Sequence, residues 1–146
     1  MAIEDRQLMM SLDQAVTASA ATTDYIDLGA ARNIGVGEEL NIVFTVTTTT
    51  ASAGATTLDL VLQGDSSAAF GSAVTIQTVF TGIPKATLIA DYQFVAKLNP
   101  SPALTGYRYI RGSYTVNTAN FSAGAFRLGL QLDAQLWKAP RSPHPV

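Results

Sequence analysis

Apolar and polar side chains alternate with a period of two in one segment after another between residues 24 and 137. Leu40, Ile42, Phe44 and Val46 point one way, and Asn41, Thr45 and Thr47 the other. Leu58, Leu60 and Leu62 alternate with Asp59 and Gln63, and Val74 and Ile76 with Thr75 and Gln77. Tyr92, Phe94 and Val95 make a shorter segment ending near Leu98. Ile110, Gly112, Tyr114 and Val116 lie opposite Tyr107, Tyr109 and Arg111, with Arg108 on the side of Ile110. Phe126, Leu128, Leu130 and Leu132 alternate with Arg127, Gly129, Gln131 and Asp133. Strands with one face on a core require this pattern, and a slip of one residue would put their leucines in water.

Turn-forming stretches separate the segments: Gly35 to Gly37, Ala51 to Ala55, Gly64 to Ser72, Asn99 to Pro102 and Asn117 to Gly124. One helical turn fits Asp65 to Gly71, and Pro84 restricts its surroundings to an edge or a loop. Short strands at this spacing predict an all-β sandwich or barrel. The two ends differ from this body. Residues 1–20 read as an arm: Leu8, Leu12 and Val16 have helical spacing, while Leu8, Met10 and Leu12 fit an extended chain, and the pattern leaves both open. Residues 139–146 carry too much proline for helix or sheet and read as a tail. The division is therefore an arm over 1–20, a body over 21–138 and a tail over 139–146.

Charged residues make up only 14% of the chain, against roughly 25% in an ordinary soluble domain. The exterior must then be built largely from Thr, Ser, Ala, Gly, Asn and Gln, whose neutral groups lose far less hydration than ions when covered. A net charge of −2 argues against nucleic acid or anionic lipid as partner. The chain has no cysteine, so disulfides, thiolate metal sites and cysteine nucleophiles are ruled out. Glu4 and Asp5 stand where a secretory signal would be basic, and no apolar run nears the ~20 residues that cross a bilayer.

Reactive constellations are lacking. The one histidine, His144, lies in the proline-rich tail, without the second shell that would fix its ring. Gly64-Asp65-Ser66 resembles the opening string of some ester hydrolases, but no histidine base accompanies it. A turn with Asp and Ser bonding backbone explains it better. Glu38 and Glu39 face opposite ways on a strand, as do Asp24 and Asp27. Asp59 and Asp65 are the acids that a loop would bring together, and a weak calcium site is the one metal reading left. Two tyrosines beside Arg111 make an amphipathic aromatic face suited to packing or to a protein interface. Trp137, at the end of the final segment, suits capping the core or anchoring a partner.

Together these segments resemble the jelly-roll capsid cement (decoration) proteins of tailed bacteriophages. The resemblance is carried by Asp5-Arg6-Gln7-Leu8-Met9-Met10-Ser11, Gln14-Ala15-Val16-Thr17, Ile26-Asp27-Leu28-Gly29 and Ile34-Gly35-Val36-Gly37-Glu38. It continues through Leu40–Thr47, Leu58–Gln63 with the Asp65–Phe70 loop, Tyr107–Arg111, Phe121-Ser122-Ala123-Gly124 and Asp133-Ala134-Gln135. It implies a jelly-roll β-sandwich of about eight antiparallel strands, with an extended N-terminal arm and a C-terminal tail. It further implies a non-enzymatic protein, without cofactor, that binds the outside of a phage head and bridges major capsid protein subunits. Such a protein is a dimer or trimer, made in the bacterial cytoplasm and carried on the virion. The interface residues expected are Leu8, Met10, Leu12, Tyr107, Tyr109, Arg111 and Trp137. The alternative is a carbohydrate-binding β-sandwich of phage adhesin type, using Tyr107, Tyr109 or Trp137 as sugar platforms.

Overall fold

The computed structural model describes residues 5–31, 39–99 and 106–132. A 3₁₀ turn, Arg6–Leu8, is capped by Asp5, whose carboxylate accepts the Gln7 N–H at 3.0 Å. Nine strands follow: β1 (Met9–Ala15), β2 (Ala20–Ala21), β3 (Ile26–Asp27), β4 (Asn41–Ala51), β5 (Thr57–Asp65), β6 (Val74–Pro84), β7 (Gln93–Lys97), β8 (Tyr109–Asn117) and β9 (Ala123–Gln131). They form two sheets, ordered β1-β9-β4-β7 and β2-β8-β5-β6, with β3 also pairing β8; every pairing is antiparallel. β2 meets Tyr114 and Ser113, and β3 meets Ile110 and Tyr109 farther along the same neighbour. The two pieces thus act as one interrupted strand. Eight strands in two sheets, with the chain crossing between sheets at nearly every connection, is the jelly roll expected from the sequence.

The alternating residues put the core where the sequence pattern has it. Ile42, Phe44, Val46, Leu58, Leu60, Leu62, Ile110, Tyr114, Phe126, Leu128 and Leu130 are all buried between the sheets. Phe44 is the hub. Its ring centroid lies 5.0 Å from that of Phe80 and 5.2 Å from that of Phe126, while Tyr114 lies 5.5 Å from Phe126. Tilted and edge-to-face contacts of this kind add to what the burial of ring area contributes. Burial pushes the Tyr114 phenol far up, opposed by the nearby Ser11 hydroxyl, so it stays neutral. Leu132, expected to continue the inward set, lies past the end of β9 and is exposed.

Residues 9–15, read from the sequence as part of an arm, are extended and form the edge strand of the four-stranded sheet. Their period is broken, because β1 carries one extra residue between Met9 and Ser11 and another between Ser11 and Gln14. Met9, Met10 and Ser11 are consecutively buried as a result, while Leu12 is turned out. Asp13 takes a left-handed φ of 52° at the second bulge, and its carboxylate accepts Arg127 Nη2 at 3.1 Å. β6 extends beyond the expected Val74–Gln77 as far as Pro84, which ends this edge strand as its missing N–H requires. The stretch Asp65 to Gly71 is a turn rather than a helix. The strand runs through Asp65, whose carboxylate accepts the N–H groups of Ser67 at 2.9 Å and Ser72 at 2.8 Å. The Pro-rich tail, Trp137, His144 and the Ile34–Glu38 stretch lie outside the described residues.

Candidate functional site

The outer face of the five-stranded sheet carries, at one end, a cluster of aromatic and cationic side chains in which Tyr25 is exposed, Arg108, Tyr109 and Arg111 are half-buried and Phe70 is buried beneath them. Register builds it. β5 and β8 pair without a shift from Thr57↔Asn117 to Asp65↔Tyr109, so the outward residues Tyr109 and Arg111 stand beside Asp65 and Gln63. β3 pairs at Ile26↔Ile110, which buries Ile26 and leaves Tyr25, just before it, 45% exposed over Tyr109. The two tyrosine rings meet edge to face, 5.5 Å apart at 85°. Phe70 arrives from the β5–β6 loop, 5.9 Å from Tyr25, in a left-handed conformation with φ 51°. That conformation is costly for an aromatic residue. Its cost is met by the Asp65-centred turn, in which the Phe70 N–H also donates to the Ser67 carbonyl at 3.1 Å.

Two guanidinium groups complete the patch. Arg111 lies over the Phe70 ring, 4.3 Å from its centroid, and its Nε donates to Gln63 Oε1 at 3.0 Å. Arg108 lies 5.0 Å from the Tyr109 centroid and grips Asp27 with two bonds, Nε to Oδ1 at 2.8 Å and Nη2 to Oδ2 at 2.9 Å. Stacking over a ring and bonding to a planar carboxylate are both things a guanidinium does better than an ammonium. Arg108, followed by the Gly29 N–H, holds the Asp27 carboxyl below its ordinary range, and Asp27 raises Arg108 in turn. Asp65 is likewise held low, chiefly by the Ser67 and Ser72 N–H groups.

The expected surface residues divide. Tyr109 and Arg111 share the outer face as the alternation requires. Tyr107 does not join them: its ring fills the space a β-carbon on Gly64 would occupy, and Gly64 belongs to the inward set of Leu58, Leu60 and Leu62. Tyr107 therefore plugs the inner side at the strand end. β8 begins only at Tyr109, so the period of two does not reach back to residue 107. Arg108, placed by the same period beside Ile110, instead folds outward onto Tyr109. Its backbone N–H donates to Asp65 and its carbonyl accepts from Leu28, and a guanidinium is not buried without a partner. Leu8 is half-buried against the core, Met10 is wholly inside it, Leu12 is exposed on β1, and Trp137 lies outside the described residues.

Neither the exposed Tyr25 nor the buried Phe70 beneath it was singled out by sequence as part of this site. Both come from loops remote from β8 along the chain, and only the fold brings them together. Asp59 and Asp65, which a loop could have brought together, sit instead on the same strand six residues apart, roughly 20 Å at strand rise. Asp59 accepts the Gly82 N–H and Asn117 Nδ2 instead. Among the described residues no three His, Cys, Asp or Glu side chains converge as a metal site would need.

Residues 10–130 match the model of the Bbp16 family, from inside β1 to the penultimate residue of β9. The chain belongs to the Bbp16 family. The Bbp16 match takes in all but the outermost residues of the sandwich, including Tyr25, Phe70, Tyr109 and Arg111. The name Bbp16 points to a bacteriophage protein. A comparison with curated proteins finds no match.

Proposed function

We propose that this Bbp16-family chain is a non-enzymatic capsid cement protein. It binds the outer surface of the phage head as a small homo-oligomer, bridges neighbouring major capsid protein subunits and stabilises the shell. The virion exterior is its place of work and the bacterial cytoplasm its place of synthesis. One observation supports the reading: an aromatic–arginine cluster, with Tyr25 exposed and Arg108, Tyr109 and Arg111 half-exposed over a buried Phe70, is already held in place on the jelly roll by ring contacts and hydrogen bonds. Rigid aromatic anchors beside guanidinium groups are what energetically dominant interface contacts are made of. Elsewhere the exterior carries many neutral hydroxyls, with Thr48 and Thr49 on one sheet and Thr75, Thr78, Thr81 and Thr115 on the other all exposed, and covering hydroxyls costs less than covering ions.

The mechanism is linkage. A protein that binds only the assembled lattice stabilises it by an amount set by its concentration relative to its dissociation constant, so many modest contacts add over one shell. The test is sedimentation of purified protein with heads that lack it, followed by heating. Co-sedimentation to saturation and a higher temperature of head disruption are expected. A protein that stays in the supernatant and leaves the disruption temperature unchanged would remove this reading. Retention on polysaccharide instead would favour the adhesin alternative.

A further inference from the structure

We infer that Arg111 is the anchor of the docking face and receives a carboxylate from an acidic, extended segment of the protein partner. An apolar side chain of that segment would settle against Tyr25 and Tyr109. This inference rests on the cement reading for the partner's identity, though not for its chemistry.

The cations of the described residues fall into two groups. Arg6, Lys97, Arg108 and Arg127 each have a carboxylate oxygen between 2.7 and 3.2 Å away, from Asp24, Glu39, Asp27 and Asp13 respectively. Lys85 is turned into a loop, where its Nζ donates to the Ser52 carbonyl at 2.6 Å. Arg111 alone among the described arginines faces no carboxylate. Its polar partner is the neutral Gln63 amide, and its other support is the Phe70 ring. The acids close by are committed elsewhere, Asp65 to the Ser67 and Ser72 N–H groups and Asp27 to Arg108 and the Gly29 N–H.

The geometry suits a planar carboxylate. A guanidinium has five N–H donors in a plane. The bond to Gln63 uses the one on Nε, which leaves the Nη edge for a two-point contact with a planar carboxylate. Stacking fixes the plane before the partner arrives, so little side-chain freedom is lost on binding. Tyr25, adjacent and 45% exposed, offers apolar area beside the charge. Its edge-to-face angle with Tyr109 gives a notch rather than the flat platform that would suit a sugar ring.

Two experiments on the full chain test this. In the first, isotope-labelled protein is titrated with acetyl-Ser-Leu-Glu-Ser-amide, with the same peptide carrying Gln for Glu, and with sodium glucuronate. The Arg111 Nε–H and the Tyr25 and Tyr109 ring resonances are expected to move with the Glu peptide and stay still with the Gln peptide. Arg111→Gln should abolish the response. Equal movement with both peptides, or an undiminished response in Arg111→Gln, would overturn the inference; a stronger response to glucuronate would replace the protein partner by an acidic sugar. In the second, binding to heads is measured for wild type, Arg111→Gln, Arg111→Lys and the control Lys97→Gln, all checked for unchanged thermal unfolding. Arg111→Gln should weaken binding about tenfold or more, the scale of one charge-assisted contact. Arg111→Lys should recover part of it, and Lys97→Gln should match wild type. If wild type itself ignores heads, the cement reading fails while the peptide titration still decides the role of Arg111.

Discussion

Gly112 lies on the inner face of β8, where Leu128 from the opposite sheet crosses above it. A β-carbon there would run into Leu128 Cδ2 and come within 2.8 Å of Thr22 Cγ2. Thr22 cannot swing aside, because its Oγ1 accepts the Gly112 N–H at 3.0 Å. Gly112→Ala is therefore expected to cost about 1–3 kcal/mol, as overpacking does. The check is a lowered urea midpoint with an unchanged slope. Gly129→Ala provides the contrast. There the added carbon meets mainly the Met9 thioether, a flexible group that can give way, so its loss should be the smaller. Asp65 makes a pH prediction at the same scale. Its carboxyl is held low by the Ser67 and then the Ser72 N–H. A depressed carboxylate contributes stability that is complete above the unfolded value, about 3.9, and lost as pH falls through the folded one. The urea midpoint should thus hold from pH 7 to 5 and fall below about pH 4. Asp65→Asn should already be destabilised at neutral pH, because an amide N–H would face one of the two donors, and should show less of the acid loss. Asp27, held low by Arg108 and Gly29, contributes in the same direction and is separated by making Arg108→Gln in parallel.

At the scale of strands, alternation made most of the fold legible: Leu58–Leu62, Ile110–Val116 and Phe126–Leu130 face inward as their period requires. Sheet order was not legible, because most consecutive strands belong to different sheets and the β5–β6 hairpin is the exception among the long ones. The period also failed where the strands bulge. β6 has register shifts at three places against β5, and β1 at two against β9; an extra residue reverses which side the next one faces. Of the patch, Tyr109 and Arg111 were readable from β8, whereas Arg108, like the inward Tyr107, precedes the strand and escapes its period. The bulges have a second consequence. Unpaired strand edges invite pairing with other chains, and bulges, short strands and proline blunt them. All four edges here are so treated: β1 and β6 are bulged, β6 ends in Pro84, β7 has five residues and β2 and β3 two each. Contact through faces suits such a domain better than strand addition. Gly82 tests the device. Its φ is +68° and open space surrounds the position of a β-carbon, so Gly82→Ala carries a purely conformational cost of about 1–2 kcal/mol. Gly82→Asn should recover part of that, both read as urea midpoints. Gln77 tests how the two sheets are tied at this margin. Its amide donates to the Lys97 carbonyl at 2.9 Å and accepts the Asn99 N–H at 3.0 Å, linking β6 to the end of β7. Gln77→Ala should speed hydrogen exchange at the Asn99 amide and cost about 0.5–1.5 kcal/mol per bond lost.

For the whole molecule the decisive quantity is how little of its surface is ionic. The chain has a net charge of −2 and only 14% charged residues, and four of its described cations are already neutralised within the domain. If such a surface covers a capsid, association draws little on long-range attraction and much on the burial of hydroxyl, amide and aromatic area. Two consequences separate this from an electrostatic clamp. Raising the salt from about 0.1 to 1 M shortens the Debye length from roughly 10 to 3 Å, which would collapse binding made of many exposed ion pairs. Here it should weaken binding to heads only severalfold, the residual loss being that of the Arg111 contact. The on-rate should also be ordinary, within roughly 10⁵–10⁷ M⁻¹s⁻¹, and nearly independent of salt, since no strong field steers the encounter. The remaining salt effect should then appear in the off-rate, where a contact formed only after docking is felt. Measuring both rates on immobilised heads at the two salt concentrations decides the matter. A large fall in the on-rate with salt would mean that charged groups outside the described residues, rather than the neutral faces of the jelly roll, govern the encounter.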